Sequence, residues 1–242
     1  EKLKKESKNK KYADCEGNFK KRNNPKKVRR RLKKGNFRFY EGKLKHPNLS
    51  KERRQCTAGG QRPFAIILTC SDSRVPPEFI FDTGIGDLFV VRLAGNIVDT
   101  AAVASIEFAV ALLECQYILV LGHQACGAVQ AAIDGDDPAS KNLKALLGKI
   151  EPSVNDCSSS NSGNKATDLK TMKEKLNYEA AKTEGSVCLK KVTIQNAHES
   201  AAALLRNSEI LRKAVVDKEL TIDTGYYDFD SGVVTFNEPS GC

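Results

Sequence analysis

The sequence predicts an α/β protein, with a central, mostly parallel β-sheet flanked by helices and an N-terminal helical arm. Three observations carry that prediction. Residues 64–68, 88–91 and 117–121 are short, wholly apolar runs, with the length and composition of strands buried on both faces. Segments of helical periodicity separate them. Strand, helix, strand, helix in this rhythm implies parallel strands joined by right-handed crossovers.

The elements follow in chain order. Residues 1–27 are polar and lysine-rich, interrupted by Pro25. Residues 28–40 read as an amphipathic segment, with Val28, Leu32 and Phe39 among basic side chains. Pro47 and the Gly59, Gly60 pair break residues 41–62 into loop and short helix, with Ser50 placed to cap the helix. After the first two buried runs, Asp99 can cap a helix over residues 100–114, whose Val103, Ile106, Val110 and Leu113 share a face. Residues 126–133 start another helix. Residues 134–187 read as a loop and helix insertion: 158–164 are rich in Ser, Asn and Gly, and 168–181 look helical and exposed. A helix is expected over 192–216, then strands over 220–222, 225–227 and 233–236, the last reached through a Ser231, Gly232 turn.

Charge divides the chain. The net charge of +9 comes from residues 1–34, which hold 16 Lys or Arg against 4 acids, while the remainder holds 23 against 26. A basic arm over residues 1–34 therefore precedes a near-neutral body over 35–242. Such an arm can attract polyanions. Tyr12 and Phe19 alone interleave residues 1–27, so no stacking platform for a nucleic acid is expected. No apolar run approaches the roughly 20 residues of a membrane span, so the chain reads as soluble. It begins at Glu1 and so reads as a processed or trimmed form, with its compartment left open. The eight cysteines do not have the spacing of a small disulfide scaffold, although some could pair in an oxidising compartment.

Chemistry concentrates in two clusters. Cys70, Ser71, Asp72, Ser73 and Arg74 follow the first buried run, and His123, Gln124, Ala125, Cys126 and Gly127 follow the third. In an open parallel sheet ligands gather beyond the carboxyl ends of the strands, so the two clusters can face each other. Two thiolates and an imidazole make the three-ligand set that leaves zinc a fourth, open position. Alone, His123 would read as a core histidine and either cysteine as a small hydrophobe; together at two strand ends they read as metal ligands. Asp72 can either bind the metal or accept a hydrogen bond from its water. Arg74 can hold it by a bidentate pair that keeps it ionised and away from the metal.

These residues resemble the zinc signature of the β-class carbonic anhydrases, in particular a bacterial-type branch. The resemblance extends through residues 75–78, 86–92, 94–96, 105–110 and 120–123. It is close over roughly residues 30–135 and loose at residues 225–228. It implies a zinc domain over residues 35–242 that interconverts carbon dioxide and bicarbonate through a zinc-bound hydroxide. Zinc would be held by Cys70, His123 and Cys126, with Asp72 and Arg74 keeping the fourth site open. The same resemblance matches Gln61 to a donor toward substrate, and Phe89 and Ala94 to apolar positions of the carbon dioxide pocket. Phe108 stands there where many members carry Tyr. Arg92 matches the arginine of a non-catalytic bicarbonate site that also needs a Trp, which this chain lacks. A homodimer or larger homo-oligomer is implied, since members build their sites at a dimer interface. Two other readings stay open: a carbon disulfide or carbonyl sulfide hydrolase on the same scaffold, and a non-catalytic zinc protein whose basic arm binds a polyanion.

Overall fold

The computed structural model describes residues 24–135, 137–138, 140–154 and 187–237. The segments expected as a loop at 158–164 and a helix at 168–181 lie outside them. In chain order the elements are α1 (Pro25–Tyr40), α2 (Lys51–Thr57), β1 (Ala65–Thr69), α3 (Pro77–Ile80), β2 (Leu88–Arg92), a 3₁₀ turn (Ala94–Asn96) and α4 (Thr100–Ala111). They continue with β3 (Tyr117–His123), α5 (Gly127–Asp134), α6 (Lys141–Leu147), a second 3₁₀ turn (Glu151–Ser153), α7 (Val187–Asn207), α8 (Glu209–Val216), β4 (Thr221–Tyr227) and β5 (Val234–Asn237).

The expected mostly parallel sheet is present. Its strand order is β2-β1-β3-β4-β5, with β1 to β4 parallel and β5 antiparallel at the edge. Both β1 and β3 are buried along their whole length, as continuous apolar runs require when both faces are covered. Alternation sends Ala65 and Ile67 to one face, where Val28 and Leu32 of α1 pack with Tyr117 and Phe236. It sends Ile66 and Leu68 to the other, against Val103 and Ile106 of α4, Leu204 of α7 and Leu211 of α8.

Local signals work where they were read. Asp99 accepts from the Ala102 amide at 2.8 Å and starts α4, and Ser50 accepts from the Arg53 amide at 3.1 Å. The single helix expected over 192–216 is instead two. Ser208 adopts an extended backbone, φ −137° and ψ 117°, and caps α8 by accepting from the Leu211 amide. Its hydroxyl also donates to Glu107 of α4. A buried side chain thus gains a tertiary partner by breaking the helix, a contact invisible to local periodicity. The separate strands expected at 220–222 and 225–227 form one continuous β4, because Gly225 stays in the ladder opposite Leu121 and Phe236.

Candidate metal centre

The sheet order brings β1 and β3 side by side, while the chain leaves β1 toward β2 on one side and returns as β3 on the other. The crevice beyond their carboxyl ends is therefore a topological switch point, where open α/β sheets hold ligands. Cys70 follows β1 directly, His123 ends β3, and Cys126 caps the start of α5. All three are buried, and their ligand atoms lie within 4.8 Å of one another.

The donors fit a metal ion. His123 Nδ1 lies 2.9 Å from the Gln124 carbonyl oxygen, which fixes a proton on Nδ1. Nε2 is left buried without a partner, as a ligating lone pair must be before the metal binds. The Gly95 amide donates to Cys70 Sγ at 3.2 Å, and the Asp72 amide adds to the lowering of its thiol pKa. The Ala128 and Val129 amides, in the first turn of α5, work to lower the Cys126 thiol pKa. A hydrogen bond from the Cys126 thiol, reinforced by His123, pulls the Cys70 thiol well down, and the same bond together with burial pushes Cys126 up. Two sulfurs sharing one proton so closely are poised to surrender it to a cation. Two soft sulfurs and one imidazole suit zinc, with one position left open.

Asp72 stands beside this set without joining it. Arg74 grips it with Nε to Oδ1 at 3.0 Å and Nη2 to Oδ2 at 2.7 Å, and the Arg74 amide adds a third bond at 2.9 Å. Burial alone would raise the Asp72 carboxyl; the Arg74 bonds outweigh it and hold the group below the usual aspartate range. Arg74 also reaches the Ala125 carbonyl, tying the two sequence clusters together.

Two supports escaped the sequence. Phe229, just past β4, lies between the dyad and the ligands: the Arg74 guanidinium stacks 4.3 Å from its centroid, and its ring lies 5.3 Å from that of His123. The pairing of Tyr227 with His123 places this loop at the site, a long-range register no local pattern encodes. Gln124 anchors the loop by accepting from the Phe229 amide and donating to Asp230. Arg92 donates to the carbonyl oxygens of Cys70 and Asp72, so it braces the ligand loop.

The other residues singled out from sequence are more dispersed. Ala94 adjoins Gly95 and so borders Cys70. Phe89 pairs with Ile66 within the sheet and packs beside the α4 core. Phe108 is half exposed on α4. Gln61 is exposed ahead of β1, whereas Cys70 follows its far end.

A family model described as carbonic anhydrase matches residues 65–234. Carbonic anhydrase 2 of Mycobacterium tuberculosis is 46% identical over 135 residues, covering 54% of this chain and 65% of that relative. A carbonic anhydrase of Mycolicibacterium smegmatis is 43% identical over 134 residues, with the same two coverages. The matches thus span just under two thirds of these relatives' length. Among solved structures, one of two tetrameric β-carbonic anhydrases from Sordaria macrospora is 28% identical with a TM-score of 0.58, covering 76% of this chain and 84% of that one. The β-carbonic anhydrase CafA of Aspergillus fumigatus, 24% identical, shares the fold with a TM-score of 0.61 over 81% of this chain and 84% of its own.

Proposed function

The chain belongs to the carbonic anhydrase family, and from that premise we propose that it catalyses the reversible hydration of carbon dioxide to bicarbonate and a proton. The observation that carries this reading is the buried Cys70, His123, Cys126 set beside a carboxylate withheld from it by Arg74. A purely structural site would close its fourth position and has no use for such a pair.

Zinc, when bound, would supply a Lewis acid that brings the pKa of a water at its open position to about 7. The rest falls to the chain. Cys70, His123 and Cys126 hold the ion, with the Gln124 carbonyl setting the imidazole tautomer and the Gly95 and Asp72 amides stabilising thiolate charge. Asp72, kept ionised, is an acceptor that orients the reacting water toward substrate. Arg74 prevents that carboxylate from becoming a ligand. Ala94 and, in the assembled protein, Phe89 and Phe108 supply apolar walls for carbon dioxide.

Gln61 remains the expected donor to the substrate oxygen. Its place ahead of β1, while Cys70 follows β1, supports the reading that it serves the centre of a second subunit. The edge strand β2, half buried along its length, leaves backbone groups for such a neighbour. A homo-oligomer follows from this reading, and the tetrameric state of the Sordaria macrospora enzymes supports it. Among the described residues no helix is long and apolar enough to cross a membrane.

Stopped-flow carbon dioxide hydration, run beside zinc analysis and chelator treatment, tests the proposal. Turnover that falls with chelated zinc and returns on its restoration is expected. Zinc-loaded protein that is inert toward carbon dioxide, or that hydrolyses only carbon disulfide or carbonyl sulfide, overturns it.

A further inference from the structure

Far from the metal centre in sequence, α1 carries a second organised set of charges. Lys27, Arg30, Arg31, Lys34 and Arg38 recur at spacings of three and four and share one face of the helix. Val28, Leu32, Gly35 and Asn36 occupy the buried face. The basic face forms one wall of a cleft of about 320 Å³, and Lys45, Pro47, Phe81, Asp82 and Thr83 line the other. Pockets of roughly this size hold small molecules.

The cations divide into two kinds. Arg38 pairs with Asp82, whose carboxylate also accepts from the Lys45 and His46 amides. Arg31 pairs with Asp87 at 2.9 Å and stacks on Phe64, 3.7 Å from its centroid. Both guanidiniums are held in place, and Arg38 still has N–H groups to donate. Lys27, Arg30, Lys34 and Lys45 have no acidic partner among the described residues. Among the described residues, Asp82 is the only acid on the cleft wall. Like charges gathered in a concavity raise the local positive potential. A complementary polyanion relieves that repulsion, and the fixed arginines reduce the ordering it requires.

The geometry points to a binding site for a small molecule carrying two or more phosphates, seated between α1 and the turns at residues 45–47 and 81–83. A single monovalent anion would leave most of the charge uncompensated. Single-stranded nucleic acid is a poorer match, because the sole aromatic among the described lining residues, Phe81, is 1% exposed and offers no stacking face.

The probe is inorganic triphosphate, titrated calorimetrically into the full zinc-loaded chain at about 150 mM salt, where exposed charges farther apart than a Debye length are screened. Saturable binding at one site per chain is expected. Lys34→Glu and Lys45→Glu, on opposite walls, should each weaken it about tenfold while zinc content and turnover stay unchanged. Lys213→Glu, an exposed charge reversal on α8, is the control and should bind as wild type does. Absence of saturable binding overturns the proposal. So does equal weakening by Lys213→Glu, which would mark a net-charge effect. Binding of a single-stranded oligonucleotide that triphosphate does not displace would assign the face to nucleic acid instead and overturn it likewise.

Discussion

At the scale of single residues, the site depends on which donors are free and which are held. Nε2 of His123 is buried and unpartnered, while both Asp72 oxygens are occupied by Arg74. Cys126→Ser replaces a soft thiolate with a hydroxyl that ionises poorly. Zinc and turnover should therefore disappear together, and elemental analysis showing full zinc in that variant would refute the ligand assignment. Arg74→Ala removes the grip on Asp72 without touching a ligand. The freed carboxylate is expected to compete for the open position, so zinc stays near one per chain while turnover at neutral pH falls by at least about tenfold. Asp72→Asn should also retain zinc and lose rate, yet without recovery at high pH, because an amide cannot close the site as an anion. Comparing the pH–rate profiles of the two variants separates a gating role from a merely structural ion pair. The Cys70, His123 and Cys126 cluster and the Asp72–Arg74 pair were legible in the sequence because they sit within a few residues of two strand ends. Phe229 was not, since only the pairing of β4 with β3 brings it between Arg74 and His123.

At the scale of elements, α1 is seated by close approach as much as by burial. A Cβ at Gly35 would stand 1.8 Å from the Phe81 carbonyl oxygen, a backbone atom that cannot yield without moving α3. Gly35→Ala should therefore destabilise the fold by about 3 kcal/mol, despite the better helix propensity of alanine. Denaturation showing a more stable variant would mean that α1 is loosely docked. Asp82 fastens the end of the same helix to the turn after α3 and to the amides at Lys45 and His46. Burial works to raise its carboxyl, but the Arg38 and amide bonds outweigh it and leave the group below its ordinary value. A depressed carboxylate gives full stability above the unfolded pKa of about 3.9 and loses it as pH falls through the folded value. Asp82→Asn should thus flatten the acid limb of the stability curve below about pH 4, measured by urea midpoints across pH. An unchanged acid limb would remove Asp82 from that role. Sequence periodicity found α1 and its apolar face, because amphipathicity is a local property. It could not find the break at Ser208: the run of Ala201, Ala202, Ala203, Leu204 and Leu205 favours a helix, and the contact with Glu107 that ends it is tertiary.

At the scale of the whole molecule, the parallel sheet has two chemically different ends. The carboxyl end carries the Cys70, His123, Cys126 cluster and the Asp72–Arg74 pair, and the amino end carries Gln61. Gln61 lies nine residues before Cys70, and the strand between them, rising roughly 3.3 Å per residue, sets the two apart. On the proposed reading, a donor so placed serves the centre of a second subunit, and the oligomer completes the active site. Subunit complementation tests this directly. Gln61→Ala should keep zinc and lose rate, and Cys126→Ser should lose both. In a mixed dimer, the chain with Gln61→Ala retains its ligands and receives an intact Gln61 from its neighbour. One of the two sites is then complete. Co-expressing the two inactive variants and pairing them at random should restore about a quarter of wild-type turnover per site, since about half the dimers are mixed. If Gln61 acted within its own chain, neither site of a mixed dimer would hold both groups, and the mixture would stay as inactive as its parents.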